Sequence, residues 1–399
     1  MTEDRRPETE DQRLQAIGLA QSYSRFRVTA RVLLTGHSHQ AWPDVGFAAQ
    51  QQAWLDAAEM VDDKWGAAEA QAGRVRDGFA RLLGDSAENI ALGQNTHELV
   101  TRLLSALPLR ERPKLVTTDG EFHTIRRQLD RLAEEGIEVV NVNARPVDML
   151  AERLAHAIDA RTAAVLVSSV LFETAEIVPG LDLVAAAATC AGAALLVDAY
   201  HHLNVVPFDI RAVRLDDAFI TGGGYKYCQL GEGNCFLRVP PWTTMRPVLT
   251  GWFAEFESLT ERHGAGRVPY ARGARAFMGA TYDPTSHYRA AAVFDFHTQQ
   301  GLMPERLRAI SMRQTEMLVR EFQALDVPPE RARLIDMPAD RRGGFVALQV
   351  EDAAGLVKAL RTRGVFVDAR GTTLRMGPAP YVSDVQLRDA IAALGESLK

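Results

Sequence analysis

Apolar positions recur at helical spacing through residues 47–83, at Phe47, Trp54, Leu55 and Ala58 and again at Val75, Phe79, Leu82 and Leu83. That spacing predicts helices. After Gly84 the pattern changes to short apolar runs separated by helical stretches. The runs at 90–92, 114–117, 138–142, 163–168, 194–197, 218–221 and 234–239 predict strands, and 99–104, 124–135, 147–158 and 181–190 predict helices among them. Strands alternating with helices argue an α/β fold built on a mostly parallel, doubly wound sheet. Ligands of such sheets bind beyond the carboxyl ends of the strands.

Pro240 and Pro241 close this pattern. Residues 242–300 read as a loop-rich stretch returning to a helix at 288–300. From about 305 the order is helix (307–325), strand (344–350), helix (353–363), strands near 365–368 and 373–376, and helix (385–394). That is a small α+β domain. At 399 residues the chain exceeds the usual single-core size. The expected division is a tail or arm at 1–32, a large domain at 33–300 and a small C-terminal domain at 301–399.

Composition adds mainly exclusions. With 45 basic and 51 acidic residues the net charge is -6, which argues against a nucleic-acid or anionic-membrane surface. The polar, charged start lacks the apolar core of a signal peptide, and no apolar run is long enough for a membrane span. Three cysteines without metal-ligand spacing fit a reducing cytoplasm, no structural disulfide and no metal site.

The candidate chemistry sits at the predicted strand ends. Asp198 closes one apolar run, and His201 follows three residues later. Lys226 follows Gly222, Gly223 and Gly224 and lies between Tyr225 and Tyr227. Singly, these fit a helix N-cap and a surface lysine. Together, a carboxylate and a lysine at neighbouring strand ends are what pyridoxal phosphate chemistry needs: the lysine forms a Schiff base, and the carboxylate keeps the pyridine nitrogen protonated. Asn95 and Thr96 join a strand to a helix, where backbone N–H groups favour a phosphate, although an ordinary cap fits equally. Phe122 offers a ring to stack on a cofactor or to fill a core. Ser168 ends another strand within reach of a phenolic oxygen or of His201. Arg375, in LRMGPAPY, offers a fork suited to a carboxylate.

These residues resemble the class V branch of the fold-type I pyridoxal phosphate enzymes, and within it kynureninase, from about residue 33 onward. The motifs are DAYH (198–201), GGGYKY (222–227), TGWF (250–253), FMGATYDP (277–284) and LRMGPAPY (374–381). The resemblance implies a transferase-like fold with a large cofactor-binding domain, pyridoxal 5'-phosphate as cofactor, an amino-acid substrate and a homodimer with shared active sites. It implies Lys226 as the Schiff-base lysine, Asp198 at the pyridine nitrogen, and Tyr225 as a phosphate ligand and acid. His201 and Ser168 fall near the ring and Phe122 stacks on it. Asn95 and Thr96 take the phosphate, and Trp252 and Thr281 contact the phosphate or the ring, Thr281 coming from the second subunit. Arg375 takes the substrate carboxylate, and His37 and Ser38 lie where the substrate side chain is recognised.

Two departures stand out. The family's Asn-Ser-Leu-Gly is replaced by Gly36-His37-Ser38-His39-Gln40, and its Pro-Thr-Asp after the stacking Phe by His123-Thr124-Ile125. The implied reaction is hydrolysis of the β,γ carbon–carbon bond of kynurenine or a related amino acid, releasing alanine. A class V aminotransferase or lyase shares the same lysine, and a non-catalytic cofactor-binding protein is the third reading.

Overall fold

The computed structural model describes residues 16, 18–260 and 266–399. Its strands, in chain order, are β1 (Val32–Leu33), β2 (Ile90–Gly93), β3 (Lys114–Thr118), β4 (Glu138–Val142), β5 (Thr162–Ser168), β6 (Ala194–Asp198) and β7 (Phe219–Gly223). There follow β8 (Cys235–Arg238), β9 (Ala332–Leu334), β10 (Val346–Val350), β11 (Val365–Phe366), β12 (Asp368–Arg370) and β13 (Thr373–Met376). The large sheet has seven strands in the order β2-β8-β7-β6-β5-β3-β4, and β8 runs antiparallel to both its neighbours while the other pairs are parallel.

This sheet is covered on both faces, which explains its legibility. All seven residues of β5 are buried, as are all of β3, β7 and β8. Parallel strands buried on two sides read as continuous apolar runs. Successive residues feed different cores: Val116, Val165 and Val197 join one cluster, Leu115, Leu166 and Leu196 the other. The helices Lys64–Leu83, Leu150–Ala157 and Leu181–Ala191 cover the first face, and Thr96–Ala106 and His123–Glu134 the second.

The edge pair β2–β8 is anchored by charge. Arg238 Nε lies 2.5 Å from Asp85, and the two side chains are only 3% and 5% exposed. Burial pulls the Asp85 carboxyl upward, but hydrogen bonds from Arg238, the Ser86 backbone and Asn89 outweigh it and hold the group below its ordinary value. A depressed acid stabilises the fold above its unfolded value and loses that contribution as pH falls through the native one. Asp85→Ala strands the buried guanidinium, so a loss of about 3 kcal/mol is expected from urea unfolding at pH 7. The deficit relative to wild type should shrink in strong acid.

The small domain is a four-stranded antiparallel sheet, β12-β13-β10-β9, packed on the helices Pro304–Gln323, Ala353–Thr362 and Asp384–Ser397. The described part of the segment expected as a tail or arm through residue 32 packs into this core: Leu19, Tyr23 and Val28 join Phe322, Leu348 and Tyr381. β1 pairs in parallel with β11, Val32 against Val365. The apolar content of that segment is satisfied by residues more than 250 positions away, which no local pattern reveals. β9 was likewise unread, at three residues too short to show a period. The helix expected at 147–158 is a 3₁₀ turn, Val147–Met149, followed by the α-helix Leu150–Ala157. No helix among the described residues is long and apolar enough to cross a membrane.

Candidate active site

The carboxyl ends of β5, β6 and β7 converge on the face where the small domain presents β12 and β13. Lys226 sits in the turn after β7, 5% exposed, and its Nζ donates to His201 Nε2 at 2.7 Å. Three rings surround this nitrogen, with centroids at 4.8 Å (Tyr200), 5.4 Å (Phe122) and 5.7 Å (Tyr225). Burial lowers the Lys226 pKa to about 7, against a pull upward from Asp198 and with a further push down from Arg375. Burial and the same two cations hold His201 well below its ordinary value, so it is a neutral acceptor.

The glycines before Lys226 work through packing. A Cβ at Gly223 would meet Tyr200 Oη at 2.4 Å, and one at Gly224 would meet Leu230 at 2.6 Å. The three take no left-handed angles; those fall at Gly231 and Gly233, with φ of 70° and 83°. The run therefore admits Tyr200 beneath the strand end instead of loosening the backbone.

Asp198 ends β6 and accepts a hydrogen bond from the Tyr200 backbone N–H at 2.8 Å. The carboxylate is partly accessible, yet the walls around it raise its pKa by desolvation, against the Tyr200 N–H and Lys226. Ser168 does not reach His201: its hydroxyl donates to Glu121 at 2.6 Å, and its N–H to the same carboxylate at 3.1 Å. Glu121, 2% exposed, also accepts from Thr118 at 2.7 Å. Burial raises it to about 7 despite those bonds. Sequence reasoning missed this acid, although it directly precedes the Phe after which the family's own acid is absent.

Asn95 caps the helix Thr96–Ala106 by accepting from the Glu98 N–H at 2.9 Å. Trp252 and Thr281 meet each other at 3.3 Å, and both line a cavity of about 820 Å³ with Gly93, Gln94, Trp65 and Tyr282. Lys226, Asp198 and Arg375 do not line it. Within one chain, then, the structure assembles Lys226, Tyr225, Asp198, His201, Phe122 and Arg375 but leaves Trp252 and Thr281 in a separate hollow beside the Asn95 turn.

Arg375, 2% exposed, stacks its guanidinium carbon 5.6 Å from the ring of Phe345, whose other neighbours are His37 (4.6 Å) and His201 (6.3 Å). Phe345 is a second residue the sequence did not single out. His37 and Ser38, expected near the substrate side chain, are held by the protein itself. His37 is fully buried with Nε2 on Asp368 at 2.6 Å, and Ser38 Oγ lies 3.3 Å from the Thr35 carbonyl. His39 is the exposed member of this segment, stacked on Tyr225 at 5.0 Å.

A pyridine ring fits this chemistry: an accessible carboxylate at one strand end, a buried amine of lowered pKa at the next, and an aromatic face beside that amine. The comparisons agree. The kynureninase C-terminal domain family matches residues 307–394. The kynureninase of Pseudomonas fluorescens is 26% identical over 340 residues, covering 82% of this chain and 78% of that one. Isopenicillin N epimerase of Streptomyces clavuligerus is also 26% identical, over 361 residues, with 85% and 88% covered. Among solved structures, a mutant of the cystine C–S lyase C-DES with glycine linked to its PLP cofactor superposes with a TM-score of 0.80 at 16% identity, covering 94% of this chain and 98% of that one. The Escherichia coli cysteine desulfurase CsdA gives 0.76 at 18% identity, covering 95% and 98%.

The fold is that of the class V, fold-type I enzymes that use pyridoxal 5'-phosphate, and the residues gathered here fit that cofactor. Within that class the chain is similar to kynureninase over most of its length, and equally to isopenicillin N epimerase.

Proposed function

We propose that this protein hydrolyses the β,γ carbon–carbon bond of kynurenine or a closely related amino acid, releasing alanine. The observation that carries this reading is Arg375. It lies inside the stretch matched by the kynureninase C-terminal domain and acts electrostatically on Lys226. Tyr225 directly before the lysine supports it further.

In this reading Lys226 holds the cofactor, Asp198 pairs with the pyridine nitrogen, and Phe122 covers one ring face. The Asn95–Thr96 turn receives the phosphate, with Tyr225 beside it. His201 and Ser168 shape the ring's edge. Trp252 and Thr281 complete the site of the other subunit in a cytoplasmic homodimer. When bound, pyridoxal phosphate supplies an electron sink conjugated with the substrate's α-carbon. Lys226, freed by the substrate amine, takes the α-proton; its lowered pKa makes the neutral amine abundant at pH 7. His201 holds that nitrogen in place. Burial pushes the Tyr225 hydroxyl up to about 12, so it stays protonated and can deliver a proton to the β-carbon of the alanine fragment. Arg375 orients the substrate by its carboxylate.

The second reading, a transaminase or lyase on another amino acid, draws on the equal similarity to isopenicillin N epimerase and on an aminotransferase-like relative from Bacillus subtilis. A desulfurase draws on the fold of the cysteine desulfurases, although no cysteine follows Cys235 to serve as a late-loop nucleophile. Incubation with L-kynurenine and with 3-hydroxykynurenine separates these. Hydrolysis yields alanine with anthranilate or its 3-hydroxy derivative and needs no acceptor. Turnover only when a keto acid is added assigns transamination.

A further inference from the structure

Three of the five N–H groups of Arg375 are already engaged inside the protein. Nε and Nη2 donate to the two oxygens of Asp368, at 3.0 and 2.5 Å, and Nη1 donates to the carbonyl of Phe172. The pairing is built into the hairpin: β12 and β13 run antiparallel with Asp368 directly opposite Arg375. His37 Nε2 donates to Asp368 Oδ1 at 2.6 Å, and the Phe345 ring backs both His37 and the guanidinium. Phe172 carries the clamp to the cofactor side, because its ring meets Phe122 edge-on at 5.4 Å. What remains on Arg375 is one N–H on each terminal nitrogen.

We propose that Asp368, braced by His37, is a positioning residue that fixes Arg375 so that those two N–H groups receive the α-carboxylate of an amino-acid substrate. The proposal rests on the reading of Arg375 given above and supplies what that reading lacks. An unclamped arginine is long and rotamer-rich, and ordering it in advance removes that cost from binding. Asp368 also faces the guanidinium of Arg370 at 3.5 Å, so it offsets only part of the positive charge while fixing the two free N–H groups to receive a carboxylate in parallel. The altered segment at 36–40 thereby gains a role: His37 acts on the substrate only through Asp368.

The test uses the holoenzyme, titrated with L-alanine and with L-alaninamide at fixed pH. Binding is followed through the absorbance of the lysine-bound cofactor and corrected for amine ionisation of each ligand. Wild type should prefer the carboxylate by roughly tenfold or more. In Asp368→Asn the preference should fall to within about threefold, whereas a purely structural role would lower Tm and leave the ratio alone. His37→Leu should lose part of the preference, and His37→Gln, whose amide can donate to Asp368, should keep it. This pair decides the matter if Asp368→Asn does not fold. A wild-type ratio in both Asp368→Asn and His37→Leu overturns the proposal. No preference in the wild type overturns the reading of Arg375 itself. A preference lost in Arg375→Lys but kept in Asp368→Asn overturns only the role of Asp368.

Discussion

Lys226→Ala should abolish turnover, by on the order of 10³-fold or more, and remove the absorbance of the lysine-bound cofactor. The expectation follows from the electrostatics of the site. An ordinary lysine is neutral in only about one molecule in a thousand at pH 7. The buried Lys226, with a pKa near 7, is neutral in a large share. Its Nζ is also held by His201 at 2.7 Å among three rings, so no other amine is placed to take over. Absorption spectra of reconstituted protein together with single-turnover rates check both halves. Retention of the absorbance in the variant would show that the cofactor is bound through a different group.

Asp198→Ala is the second large effect, a fall in turnover on the order of 10²-fold or more, by analogy with other preorganised charges. Its carboxylate lies across from the lysine strand, in the β6–β7 register that sets Asp198 against Thr221. Removing it leaves the ring nitrogen without a charged partner, and an unprotonated pyridine is a poorer electron sink. Asp198→Asn should behave similarly, since an amide keeps the shape but not the charge. Steady-state rates on whichever of the two kynurenines is turned over measure the effect, and full activity in either variant would sink the assignment. Glu121 makes the comparison sharper. It is buried close enough for Asp198 to help raise its carboxyl, and its own oxygens are engaged by Thr118 and Ser168.

The residues that sequence alone made visible share a physical cause. Asp198 and Lys226 stand at the ends of strands buried on both faces, and such strands announce their ends by the arrival of a charge. Arg375 was visible for a related reason, as the lone charge inside a fully buried strand. Asp368 was not, because its meaning is relational. It is one acid among many until the hairpin around Gly371 sets it opposite Arg375, and until the chain brings His37 to it from 331 positions away. Phe345 was hidden in another way, as an apolar residue in an apolar run that the core accounts for without remainder. The histidines at 37 and 39 differ in a way the sequence does not show. The sequence shows both in one loop, but only tertiary packing buries the first and exposes the second.

The pairing of β1 with β11 has a consequence for how the chain is made. At 5–20 residues per second, Val32 leaves the ribosome tens of seconds before its partner Val365 exists. The seven-stranded sheet between them is complete by Arg238 and can form while synthesis continues. Throughout that interval Leu19, Tyr23, Val28 and Leu34 have no core to enter. That apolar segment stays unburied until nearly the last helix is translated.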